Sequence, residues 1–194
     1  MTNNSQIMSD ARASLNGKWP LAIGTFLIAF LISLGVSLIP YAGQIIYFLV
    51  TAPLVVGISF FALKIARDQD PKTDDLFFSF NNNFGNAILA NLLVGIFAFI
   101  GFILLIIPGI IVSLALSQTW FILAENPSMG SYEAIIKSKD MMKGYKWQYF
   151  KIGLRLLLLG LLCLLTLGIG FLWLMPYQYV VYAKFYEEVK AANA

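Results

Sequence analysis

Residues 84–124 read FGNAILANLLVGIFAFIGFILLIIPGIIVSLALSQTWFILA, 41 positions without one charged side chain. The hydrocarbon core of a bilayer is about 30 Å thick, and a helix rising ~1.5 Å per residue crosses it in about 20 residues. The tract is therefore twice as long as one crossing. In its interior stands Ile107-Pro108-Gly109. Proline removes a backbone donor and clashes with the preceding turn, and glycine permits the geometry that ends helices. The tract reads as a helical hairpin: one crossing, a very short turn, and a crossing back.

Two further uncharged tracts flank it, residues 19–63 and 156–183. The first is broken by Ile39-Pro40-Tyr41-Ala42-Gly43 and the third by Thr166-Leu167-Gly168-Ile169-Gly170. Both breaks are turn signals. A continuous helix over residues 19–63 would be about 68 Å long, more than a bilayer holds. The expected fold class is an all-α membrane protein with six transmembrane helices as three helical hairpins. The third hairpin reaches spanning length only if its first arm starts near Trp147 and its second runs past Lys184. The N-terminus is not expected to be a cleaved signal peptide. Arg12 and Lys18 suit a positive leader, but the apolar stretch after them is too long and lacks a convincing small-x-small ending.

Composition agrees. Of 194 residues, 59% are hydrophobic and 12% charged, against about half and a quarter in soluble domains. The chain is long enough for one polytopic domain, residues 1–194. Histidine is absent and Cys163 is the one cysteine. A disulfide framework is excluded, and zinc would have only Cys163 and carboxylates to bind it. No cofactor is expected, since no nucleotide loop, metal box or nucleophile elbow is present. A net charge of +3 is too small to suggest nucleic acid.

Charge distribution sets the topology. All 13 Lys and Arg and all 10 Asp and Glu fall in residues 1–18, 64–83, 125–155 and 184–194. The hairpin turns carry none. Basic residues are retained on the cytoplasmic side during insertion, so both termini are expected there.

The hairpins share a preamble. Ile7, Ala11 and Leu15 precede the first at helical spacing; Leu76, Phe77, Phe80 and Phe84 precede the second, with Thr73 or Asp74 suited to cap that segment; Tyr132, Ile135, Ile136 and Met142 precede the third. Such segments suit the membrane surface. Trp19 lies 21 residues before Pro40, Phe84 24 before Pro108, and Trp147 21 before Gly168. The pattern suggests an internal threefold repeat, with units near residues 5–66, 73–125 and 128–190.

Two residue groups stand out as sites. Gln44, Asn91, Gln118 and Gln178 are amides within the apolar tracts, suited to interhelical hydrogen bonds or to lining a polar cavity. Pro53 and Pro176 recur at similar distances from their turns and could open such a cavity. Lys137, Lys139, Lys143, Lys146, Lys151 and Arg155 face only Glu125, Glu133 and Asp140 in their segment. A basic cluster beside a membrane attracts anionic headgroups. Gly95 and Gly101 suit close helix contacts.

Three stretches carry a resemblance. Ala11-Arg12-Ala13-Ser14-Leu15-Asn16-Gly17-Lys18-Trp19, Ser138-Lys139-Asp140-Met141-Met142-Lys143-Gly144 and Thr166-Leu167-Gly168-Ile169-Gly170-Phe171-Leu172-Trp173-Leu174-Met175-Pro176-Tyr177 resemble an uncharacterised family of bacterial integral membrane proteins, domain of unknown function 975. The resemblance covers nearly the whole chain. It implies a multi-pass protein of the bacterial cytoplasmic membrane and brings no activity or site residues.

The expected function is that of a non-enzymatic membrane protein binding lipid or a partner protein through its basic cytoplasmic face. The alternative is a small transporter or channel-like subunit with a polar cavity among the helices. Partners expected are the bilayer, anionic lipids, and a membrane or cytoplasmic protein. The sequence gives no signal of oligomeric state. An intramembrane enzyme is disfavoured because no acid–base pair lies within the spans.

Overall fold

The computed structural model describes residues 3–40 and 43–193, and among these every regular element is helical. In chain order they are α1 (Asn4–Ser14), α2 (Trp19–Ser37), α3 (Gly43–Ala66), a 3-10 turn (Thr73–Phe77), α4 (Phe78–Asn82), α5 (Phe84–Leu104), α6 (Ile106–Leu116), α7 (Thr119–Glu125), α8 (Ser131–Met141), α9 (Lys146–Leu165) and α10 (Phe171–Ala192). Five helical stretches are long and apolar enough to cross a membrane: α2, α3, α5, the combined α6–α7 and α9. α10 is 22 residues long, but its second half carries Lys184, Glu187, Glu188 and Lys190.

Each expected turn joins a pair of long helices, with one displacement. α2 gives way after Ser37 and α3 begins at Gly43; Tyr41 and Ala42 of that turn lie outside the described residues. α9 and α10 are joined by residues 166–170, where Leu167 and Gly168 have φ of 53° and 86°. The Thr166 hydroxyl donates to the Cys163 carbonyl at 2.7 Å and accepts from Gly170 N–H at 3.0 Å. The middle turn is not at Pro108-Gly109. It is at Leu105, with φ −174° and ψ 159°. Pro108 is the third residue of α6, in the first turn, where its missing N–H costs nothing. Gly109 packs instead against the preceding arm: a Cβ on Gly101 would lie 3.0 Å from the Gly109 Cα. Gly101 is thus a close-contact glycine as expected. Gly95 is not, since a Cβ there meets nothing within 4 Å.

Burial divides the molecule lengthwise. The fully buried side chains gather at the charged end, among them Ala22, Phe61, Leu63, Ile122, Val181 and Phe185. The turns and the helix halves leading to them are bare; Leu38, Leu105, Ile107 and Leu167 are 71–95% exposed. The short segments wrap the buried end. α1 packs on α10 and buries Ile7, Ala11 and Leu15. The 3-10 turn packs into α3, where a Cβ on Gly57 would lie 2.0 Å from the Leu76 carbonyl oxygen. Lys72, not Thr73 or Asp74, caps this turn, and Asp75 reaches back to accept its N–H at 2.8 Å. α8 packs on α5, α6 and α7 through Ala134, Ile135, Ser138 and Met141, leaving Tyr132 and Ile136 outside.

Candidate functional site

Three helices that return from the turns end together in a knot of charge. Arg67 follows α3, Glu125 closes α7, and Tyr186, Glu187 and Lys190 lie on α10. Arg67 donates from Nη2 to Glu125 Oε1, and from Nε and Nη2 to Glu187 Oε1 at 2.9 and 2.6 Å. Lys190 Nζ donates to Glu125 Oε1 at 2.6 Å, and the Tyr186 hydroxyl to Oε2 at 2.8 Å. Lys184 Nζ caps α3 through the Ala66 carbonyl at 2.5 Å. Glu125 follows the last apolar residue of its tract. Its carboxylate accepts from Arg67, Tyr186 and Lys190, and these three donors offset its partial burial. Each acid here is matched by donors, which suits a fastening rather than a reactive centre. Among the described residues no three His, Cys, Asp or Glu side chains are placed to hold a metal. From the sequence, Glu125 is set against the basic cluster and the other charges mark sidedness alone; their pairing joins residues far apart in the chain and leaves no local signal.

A second polar group lies deeper. α6 and α7 are interrupted at Ser117 and Gln118, and Ser138 of α8 bridges the interruption. Its hydroxyl donates to the Ala115 carbonyl at 2.9 Å and accepts from Gln118 N–H at 3.2 Å. One side chain therefore serves both backbone groups next to the break. Gln118 is fully buried; its Nε2 donates to Ser117 Oγ at 2.9 Å, and its Oε1 has no hydrogen-bond partner among the described residues. Tyr149 of α9 interacts with Ser117 and Gln118, and stacks on Tyr182 of α10 at 4.9 Å. Tyr182 in turn interacts with Gln178. Gln118 and Gln178 are thus joined through two tyrosines. Gln44 and Asn91 stand apart: Gln44 is exposed beside the first turn and Asn91 is half-buried within α5.

The six basic residues form a rim along α8 and the first half of α9. Lys137, Lys139, Lys143, Lys151 and Arg155 are exposed and Lys146 is half-buried. Lys143 meets Asp140 at 2.7 Å and holds that carboxyl below its ordinary range. Lys151 lies over the Trp147 ring, 5.5 Å from its centroid, and Arg155 donates to Ser5 Oγ at 3.0 Å. Glu125 belongs to the knot, so residues 126–155 present six basic side chains against two acids, Glu133 and Asp140.

Toward the turns, α2, α3 and α10 enclose a groove of about 760 Å³ lined almost wholly by apolar side chains. Phe30, Ser33 and Tyr47 are shared with a smaller hollow of about 390 Å³ beside the first turn, which Ser37 and Gln44 also line.

Comparison with known proteins gives one match. Residues 1–108 and 96–193 match the family model described as "Protein of unknown function (DUF975)". No curated protein and no solved structure matches the chain.

Proposed function

We propose, for a chain that belongs to the DUF975 family of proteins of unknown function, that it is a non-enzymatic multi-pass membrane protein that gathers anionic lipid headgroups on its charged face. The observation that carries this is the surplus of exposed cations on α8 and α9, left after Glu125 is spent on Arg67 and Lys190. These cations stand at the foot of the lipid-facing surface of α9, where Leu154, Leu157 and Leu158 are 49–59% exposed. Lys151 on the exposed Trp147 is the pairing expected where a helix enters the headgroup layer.

In this reading the chain sits in the bacterial cytoplasmic membrane with both termini inside. Six spans form three hairpins, α10 being the sixth. Each hairpin with its preceding short segment is one unit of a threefold repeat. Support comes from the three helix pairs, each preceded by a short packed segment, and from turns without charge. The transport alternative has less support. The buried amides Gln118 and Gln178 contact tyrosines, and the larger hollow is apolar and lies toward the turns.

The test uses the purified full chain in nanodiscs of phosphatidylcholine with and without phosphatidylglycerol, counting lipids retained by native mass spectrometry. Phosphatidylglycerol is expected to be retained preferentially, and less so at high salt. At ~1 kcal/mol per basic residue, the combined Lys139→Gln, Lys143→Gln, Lys151→Gln and Arg155→Gln variant should lose at least about tenfold of the preference. An unchanged preference in that variant overturns the proposal.

A further inference from the structure

The groove between α2, α3 and α10 has features that specify an occupant. Its volume of about 760 Å³ is within the usual range of ligand sites, ~300–1,000 Å³. α3 lines it from Tyr47 to Ile58, about 16 Å at ~1.5 Å per residue, close to the depth of one hydrocarbon leaflet of a ~30 Å core. Toward the charged end its lining includes Phe26 and Tyr179, whose rings meet edge-on at 5.3 Å. The aliphatic hydroxyls along its length have spent their protons within their own helices: Ser33 Oγ donates to the Ala29 carbonyl at 2.9 Å and Thr51 Oγ1 to the Tyr47 carbonyl at 2.7 Å. This part accepts a hydrocarbon chain.

At the turn end the groove opens into the smaller hollow, where the chemistry changes. Ser37 Oγ has given its proton to the Leu34 carbonyl at 2.7 Å, as Ser33 has to Ala29, so both offer only lone pairs. Gln44 and Tyr47 make no side-chain hydrogen bond among the described residues and offer donors and acceptors. Among the described residues, none that lines either hollow is charged. A rim of this kind matches a headgroup that donates hydrogen bonds and carries no charge. A phosphodiester matches it less well, because it brings a charge that no lining cation meets and no donor for the two serine oxygens.

We propose that this groove is a binding site for a neutral, hydroxyl-bearing acylglycerol, its chain along α3 and its hydroxyls at Gln44, Tyr47 and the two serines. The site lies in the leaflet away from the charged face and does not depend on the basic rim.

The experiment places a photoactivatable diacylglycerol in phosphatidylcholine nanodiscs holding the full chain and reads labelled peptides. Saturable labelling of α2, α3 and α10 is expected, competed at least tenfold better by dioleoylglycerol than by dioleoylphosphatidylglycerol or dioleoylphosphatidylethanolamine. Ala29→Phe fills the groove from within and should lower labelling at least fivefold. Leu172→Trp narrows it from the exposed side, without touching the buried core, and should do the same. Gln44→Leu should reduce the discrimination among headgroups while leaving labelling in place. Unchanged labelling in Leu172→Trp, or equal competition by the three lipids, overturns the proposal.

Discussion

Ser138 shows what one hydroxyl can carry. It supplies the acceptor for Gln118 N–H and the donor for the Ala115 carbonyl where α6 gives way to α7. Ser138→Ala would leave both groups buried without partners, each at ~1–3 kcal/mol. We expect a loss of at least about 2 kcal/mol, measured by unfolding in mixed micelles, with Ser113→Ala, on the same arm, as a milder control. Gly57→Ala should cost about 1–3 kcal/mol, the range for overpacking, because its Cβ would meet backbone, the Leu76 carbonyl, rather than a movable side chain; loss of the Lys64–Asp75 pair at 2.6 Å should accompany it, read by crosslinking between those positions. Neither role was legible in the sequence. Ser117-Gln118-Thr119 marks a polar interval in an apolar tract, but a continuous helix tolerates the same residues. What distinguishes the break is a partner twenty positions away. Gly57 likewise looks like any helix glycine until the 3-10 turn is laid against it.

At the scale of elements the sequence was more informative, because bilayer thickness imposes length and proline and glycine interrupt it. The first and third turns fall where their Pro and Gly residues place them. The middle one falls at Leu105 because proline is as comfortable at a helix start as after a helix end. Positions for labelling must avoid both packed sites: a cysteine at Gly109 would strike the Phe102 ring, 2.4 Å from its Cβ, and one at Ser138 would remove the bridge just described. In a Cys163→Ser background, single cysteines at Gln44, Ile107 and Ile169 should react with an impermeant maleimide from outside intact cells. Those at Asp70 and Lys139 should react only after the inner face is opened. Reaction of position 107 from the cytoplasm would rule out the middle hairpin. α10 is the element composition describes least well, since its later half is charged in sequence yet buries Phe185, Tyr186 and Val189.

For the whole molecule, the separation of charged segments from uncharged turns was legible and its use was not. The sequence put every charge at one end; only the fold divides these charges into a closed knot and an open rim, because pairing between residues 67, 125, 187 and 190 has no local signature. The knot also sets a stability prediction: Glu125→Gln removes the charge that Arg67 and Lys190 share and should lower stability by at least about 1 kcal/mol, measured by unfolding in mixed micelles. The bridge at Ser138 has a last consequence, for synthesis. The segment formed by α6 and α7 leaves the ribosome before the residue that completes its hydrogen bonding. Until α8 has followed, Gln118 N–H and the Ala115 carbonyl must find water or the insertion machinery. The second pair of helices is therefore finished by the start of the third, and a chain halted before residue 138 should hold that segment open to proteases that the full chain resists.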